Sequence, residues 1–202
     1  MSTAVLAACA RALGEHLAEY GFKRDRRVFR RWNAAGDAII IGFQTHPSFT
    51  DDTQFFVNVA FLLAPAWQWT QEEHHYPPSK QPGTADGRWF DRVNPTDWSD
   101  DKTFVEQWVV RDESEAPAVA ERIFWRLRDR LEELSRWLDR DYLWQAAGNT
   151  DILGFAADSI KIFLLAEQGT SDELRELLFE GGEGDEADRS IWEFARRHEA
   201  AR

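Results

Sequence analysis

The chain has 202 residues, 43% apolar and 30% charged, and a formal net charge of −12. That composition excludes a disordered chain, and the length suits one domain or one domain with a small appendage. The acidic balance opposes binding to nucleic acid or anionic membrane, because phosphate contacts supply most of that affinity, and favours a basic protein partner.

The charge is uneven. Met1 to Trp32 holds seven Lys or Arg against three Asp or Glu, a local +4 that leaves −16 on the remainder. Ten Trp and fourteen Phe against one Met point to a rigid aromatic core rather than an aromatic ligand pocket. Cys9 is the only cysteine, so no internal disulfide forms, as in a reducing cytosol. The N-terminus lacks a basic-then-apolar leader pattern, and no apolar run approaches the ~20 residues of a membrane span. The expected compartment is cytoplasmic.

Val5, Cys9, Leu13 and Leu17 recur every four residues beside Leu6, the apolar stripe of a helix that places Cys9 in the core. Tyr20-Gly21-Phe22 stops it, since glycine takes the left-handed backbone of a helix end. Arg26 to Trp32 reads as a first strand and Asn33 to Gly36 as its turn. Ala38 to Thr45 reads as a second strand, with Ile39, Ile41 and Phe43 on one face and Ile40, Gly42 and Gln44 on the other. Phe55 to Leu63 is a third, sending Phe55, Val57, Val59, Phe61 and Leu63 inward and Asn58 to the opposite face. Ala64 to Gly87 holds six Pro or Gly and no period, and reads as a long loop carrying Trp67, Trp69, His74 and His75. Arg88 to Val93 and Thr103 to Val110 read as further strands around a turn-rich Asn94 to Lys102.

From Ser114 the period changes. Val119, Ile123, Leu127, Leu131, Leu134 and Leu138 define a long amphipathic helix, with Ser114 as its N-cap and Pro117 in the first turn. Arg128–Glu132 and Glu132–Arg136 are spaced as i,i+4 pairs on its wet face. Asp151 to Gln168 reads as another helix ended by Gly169, Thr170 with Glu173 as a capping box for a short helix to Phe179, and Asp185 as the cap of a last helix after a Gly181 to Gly184 linker.

In this order, Gly21-Phe22-Lys23, Val28-Phe29-Arg30-Arg31, Ile41-Gly42-Phe43-Gln44, Phe56-Val57-Asn58-Val59 and the Trp108 strand leading into the long helix resemble the bacterial domain of unknown function family 4304. The likeness covers about residues 5–145. It implies a helix, an antiparallel sheet and a packed helix, and it transfers no catalytic residue and no cofactor.

Lys23, Arg24, Arg26, Arg27, Arg30 and Arg31 form the basic cluster, readable as a fork for phosphate or carboxylate, as positive guards on an edge strand, or as a docking point for the protein's own acidic tail. Gln44 and Asn58, on the less apolar sheet face and near Arg30, read as a recognition patch or as a network that fixes strand register. Glu72-Glu73-His74-His75 lacks the converging spacing of a zinc site, and His46, Asp51 and Asp52 are similar. His16 and His198 are not marked as catalytic bases. No phosphate-binding glycine loop, nucleophile elbow or Cys zinc spacing is present in the sequence, so no metal or cofactor is expected.

The expected fold is α+β: an antiparallel sheet of about five strands against the N-terminal helix and the long helix, over residues 1–145, with an acidic helical extension packed on it over 146–202. The expected role is a non-catalytic protein-interaction module with an acidic surface for a basic partner, as an immunity protein meets a cationic toxin. The alternative is an anionic-ligand binder or enzyme using Arg30, Gln44 and Asn58 beneath Trp67 and Trp69 of the 64–87 loop.

Overall fold

A computed structural model describes residues 3–45, 52–96, 106–180 and 182–201. Helix α1 (Thr3–Ala18) buries Leu6, Cys9, Leu13 and Leu17 completely or nearly so. It ends where Gly21 adopts φ +80°, and the N–H groups of Tyr20 and Phe22 turn back to the Leu17 carbonyl. Only glycine enters that conformation without steric cost.

Six antiparallel strands follow: β1 (Lys23–Asp25), β2 (Val28–Trp32), β3 (Ala38–Thr45), β4 (Thr53–Leu62), β5 (Trp89–Val93) and β6 (Trp108–Val110). They are arranged β1-β2-β3-β4-β5, and β6 pairs with β4 beyond the end of β5. Arg26 and Arg27, expected at the start of a strand, instead form the β1–β2 turn, with Arg26 at φ +55°. The α+β class and the antiparallel sheet are as expected.

Alternation sorts the sheet into two faces. Phe29, Ile39, Ile41, Phe43, Phe55, Val57, Val59 and Phe61 are all buried on the face toward the helices. They meet α1 and α3 (Ala116–Trp137), whose Ile123, Leu127 and Leu131 are fully buried. Ser114 does not cap α3; it donates to Asp112, and Glu115 stands at the N-cap position without a side-chain cap. Arg128 pairs with Asp129 rather than with Glu132.

The 64–87 segment is not one loop. Helix α2 (Ala64–Glu73) opens it, with Pro65 in the first turn and the Ala64 N–H donated to Asp37 Oδ1 at 2.9 Å. A one-turn 3-10 helix, Thr84–Asp86, lies near its end. Helix α2 shows no one-sided period because it is covered on two sides: Trp67 packs with Ala38, Ile40 and Leu62 on the second sheet face, and Trp69 packs on Phe163.

The C-terminal helices are α4 (Arg140–Ala146), α5 (Thr150–Leu153), α6 (Ala157–Gln168), α7 (Asp172–Phe179) and α8 (Glu186–Ala200). The single helix expected from Asp151 to Gln168 is broken at Gly154, where φ is +57°, and a 3-10 turn joins the pieces. Ser171 caps α7 by accepting from the Leu174 N–H, while Thr170 bonds Glu199; Asp185 caps α8 as expected. One hydrophobic cluster runs without interruption from Val5 of α1 to Ala195 of α8. Among the described residues, no helix is long and apolar enough to cross a membrane. The sequence readings at His46, Asp51, 97–105 and Gly181 fall outside the described residues.

Asp37 joins the sheet to the C-terminal helices. Its carboxylate is fully buried and accepts from Asn33 Nδ2 at 2.9 Å, Ala64 N and two nitrogens of Arg140, Nη2 at 2.8 Å and Nε. Arg140 Nη1 continues to Glu167 Oε2 of α6 at 2.7 Å. Burial alone lowers the Arg140 guanidinium, but the hydrogen bonds and charges of Asp37 and Glu167 outweigh it and hold the group above the ordinary arginine value.

Candidate functional site

The second sheet face carries the polar patch. Register aligns Val28, Gly42, Asn58 and Arg92 in one row across four strands. Asn58 is buried and donates from Nδ2 to Gln44 Oε1 at 2.9 Å, so the two amides meet as the alternation requires. Asn58 Oδ1 and Arg92 Nε, an acceptor and a donor on directly opposed residues, are both buried and without a partner among the described residues. Arg92 lays its guanidinium 4.0 Å from the centre of the Phe56 ring and pairs with Glu106 at 2.9 Å. Such stacking shields a planar cation without requiring a second anion.

Arg30 shares this face, yet its groups are committed elsewhere. Nε donates to the Pro82 carbonyl at 2.7 Å and Nη1 reaches Asp25 at 3.4 Å, which ties the segment before Thr84 down onto the sheet. Thr84 then sits over Gly42; a Cβ there would lie 3.1 Å from Thr84 Cγ2. Trp67 and Trp69 do not form one wall over the patch. Trp67 lies on the second sheet face beside Tyr76, and Lys80 Nζ stands 3.0 Å from the Tyr76 ring centre. Trp69 is turned toward α6 and α8, donating Nε1 to Ser190 Oγ at 3.0 Å. Arg88 stacks between Trp69 and Phe163, and burial lowers its guanidinium from the ordinary value. The five sequence-derived residues thus resolve into one bonded pair, one committed arginine and two separated tryptophans.

Arg92 was not among them, although its alternation with Phe90 on a strand next to Asn58 carried the signal. Nothing in the sequence pointed to Asp37 or Arg140, whose meeting spans 103 residues.

Two clefts and two charged surfaces complete the chemistry. A cleft of about 500 Å³ lies between β5 and α3, where Arg92, Asn94, Trp125 and Arg130 line it; Asn94 Oδ1 is buried without a partner among the described residues. Another of about 590 Å³ lies between α7 and α8, with Phe179, Trp192, Arg175 and Arg189 on its walls. From Asp172 to Asp188 the chain holds eight carboxylates and one arginine, net −7. Seven of these carboxylates are exposed, and Asp188 is half-buried. At the β1–β2 turn, Lys23, Arg24 and Arg26 are exposed and Arg27 is half-buried. None of these four cations forms a salt bridge among the described residues. Also among the described residues, no group of three or more His, Cys, Asp or Glu is placed to hold a metal.

A family model described as Domain of unknown function (DUF4304) matches residues 13–145. That range spans the sheet, α1 from Leu13 onward, all of α3, and α4 up to Gln145. No curated protein and no solved structure matches the chain.

Proposed function

The chain belongs to the DUF4304 family, and from that premise we propose that it is a non-catalytic protein-interaction module whose acidic C-terminal face docks a cationic partner protein. The observation that carries this reading is the concentration of exposed carboxylates between Asp172 and Asp188. A surface of one sign attracts an oppositely charged protein at long range and accelerates encounter, with a strong dependence on salt. The cleft between α7 and α8 supplies an apolar element inside that field, since Phe179 and Trp192 meet edge-to-face at 5.8 Å on its wall. Aromatic anchors are what give such encounters their binding energy.

The test is affinity capture at low salt with the wild-type chain and with a Glu176→Gln, Glu180→Gln, Glu186→Gln variant, followed by calorimetry on each captured protein made pure. These three glutamates make no ion pair among the described residues, so neutralising them breaks none, and circular dichroism checks that the variant folds. The reading expects a basic partner that binds the variant at least about tenfold more weakly, a loss of about 1.4 kcal/mol. Equal binding by both baits, or no protein retained at low salt, sinks it.

A second reading rests on a separate observation. The cleft beside β5 is lined by Arg92, Asn94 and Arg130, and behind its wall lie a buried donor, Arg92 Nε, and a buried acceptor, Asn94 Oδ1, without partners among the described residues. An anionic small molecule carrying its own hydrogen-bond donor suits that lining. Thermal shift against phosphates and carboxylates tests it, and absence of stabilisation by every compound counts against it.

A further inference from the structure

We infer that the basic β1–β2 hairpin of one copy docks on the acidic α7–α8 face of a second copy of this chain. The inference rests on the reading of that face as a docking surface and names one occupant for it. Four cations lie within five residues, Lys23, Arg24, Arg26 and Arg27, in a protein whose remainder is strongly acidic. Such a cluster should draw in the chain's own carboxylates wherever geometry allows. It does not: among the described residues the hairpin's only ion pair is Asp25 with Arg30.

The topology explains why the two charges stay apart within one molecule. The hairpin turn lies beside Gly42 and Phe43, whose N–H bonds the Arg27 carbonyl. The Asp37 node lies at the other end of β3, where it holds Arg140 of α4 and, through it, Glu167 of α6, the helix against which α7 and α8 pack. Five residues of strand separate those points, about 17 Å at ~3.3 Å per residue. A cationic tip and an anionic face set apart on one rigid body complement each other between copies.

Guarding a sheet edge is the competing explanation, and it covers only part of the cluster. Lys23 and Arg24 lie on edge strand β1, where positive side chains discourage strand addition. Arg26 and Arg27 lie in the turn, where there is no ladder to guard. Arg26 also holds a left-handed backbone, φ +55°, that glycine or asparagine adopts more readily. An arginine kept there places an exposed guanidinium at the hairpin tip. The face it meets is equally unspent: of the carboxylates between Asp172 and Asp188, only Glu173 pairs with a described cation, Lys161.

Sedimentation velocity over a concentration series tests the contact. At about 10 mM salt, where charges act over about 30 Å, the wild-type sedimentation coefficient should rise with concentration; at about 1 M salt, where the range is about 3 Å, it should not. A hairpin-reversed variant (Lys23→Glu, Arg26→Glu) and a face-reversed variant (Glu176→Lys, Glu180→Lys, Glu186→Lys) should each remain monomeric alone. Mixed, they should associate, because the hairpin-reversed variant keeps the acidic face and the face-reversed variant keeps the basic hairpin, although both remain net negative. Circular dichroism confirms that each variant folds. Wild type that stays monomeric at low salt, or a mixture that does not associate, overturns the inference.

Two further arms separate the alternatives. If wild type stays monomeric while heparin retains it and releases the hairpin-reversed variant, the hairpin serves an anionic polymer and the inference fails. A fluorescent oligolysine peptide reports on the face independently. Loss of that peptide by the face-reversed variant, with wild type monomeric, overturns self-docking alone. Unchanged peptide binding by that variant overturns the docking role of the face as well.

Discussion

Replacing Asp37 with alanine is the sharpest test of how the C-terminal helices are held. The carboxylate has no exposed surface, and four donor groups converge on it. Breaking a buried ion pair from one side costs about 3–5 kcal/mol, because the surviving charge loses its compensation. Here the survivor is Arg140, whose side chain is 23% exposed and keeps Glu167, so solvent relieves part of that penalty. The Ala64 N–H also loses its acceptor at the start of α2, which costs about 1–3 kcal/mol when such a donor stays buried. The expected loss for Asp37→Ala is therefore about 4 kcal/mol. Asp37→Asn keeps one oxygen for Ala64 and should lose about half as much. Urea unfolding followed by tryptophan fluorescence reads this directly. With a slope of about 2 kcal/mol per molar urea, the alanine midpoint should fall by about 2 M. A double-mutant cycle with Arg140→Met should return a coupling of about 2 kcal/mol or more. If Asp37→Ala unfolds within about 1 kcal/mol of wild type, the node is not what fastens the helices to the sheet.

Three other outcomes are expected. Gly87→Ala should destabilise by about 1–3 kcal/mol, since its Cβ would lie 2.7 Å from the Ala60 side chain and 2.9 Å from the Trp89 carbonyl; a thermal melt matching wild type would contradict it. Burial pushes the Cys9 thiol up to about 12, so at pH 8 only about one molecule in 10⁴ carries the reactive thiolate. A thiol reagent should therefore label the native chain far more slowly than the urea-unfolded chain, and equal rates would place Cys9 outside the core. Asp112 accepts from the Ser114 hydroxyl and from the N–H groups of Ser114 and Glu115, which hold its carboxyl below the ordinary value. A depressed carboxylate supports the start of α3 above its unfolded pKa, and that support is lost as pH falls through the lowered folded value. Ser114→Ala should raise the Asp112 midpoint in a carbon-13 titration, and an unmoved midpoint would reassign the cause.

The strands were legible because one face is uniformly apolar while the other, although also largely buried, mixes in Gly42, Gln44 and Asn58. Helix α3 was legible because one side of it is covered and the other is not. Ile39, Ile41 and Phe43 face the helices at period two, and Ile123, Leu127 and Leu131 repeat at helical spacing. Helix α2 was illegible for the opposite reason. Packed against the sheet on one side and α6 on the other, it leaves its polar residues on a narrow strip, and no single-faced period survives. The break at Gly154 was hidden because one glycine inside an apolar run costs a helix only about 1 kcal/mol, so its presence alone does not announce a kink.

The candidate site shows how one error in an element propagates into chemistry. Gln44 and Asn58 were paired correctly because a hairpin between two recognised strands leaves their shared face no freedom. Trp67 and Trp69 were placed together because an irregular loop can turn both rings toward one target. In a helix, each residue advances about 100°, so positions i and i+2 point about 200° apart. Trp67 therefore covers the second sheet face while Trp69 reaches Ser190 of α8. The consequence is functional. With Trp69 committed to the C-terminal helices and Arg30 to Pro82, the patch has lost two of its five intended members. What remains, Asn58 bonded to Gln44 across two strands with Arg92 beside it, leaves one buried donor and one buried acceptor without partners among the described residues. Unspent charge lies instead on the hairpin and on α7–α8, and the interaction chemistry of this chain is therefore sought on its outer surfaces rather than on the covered sheet.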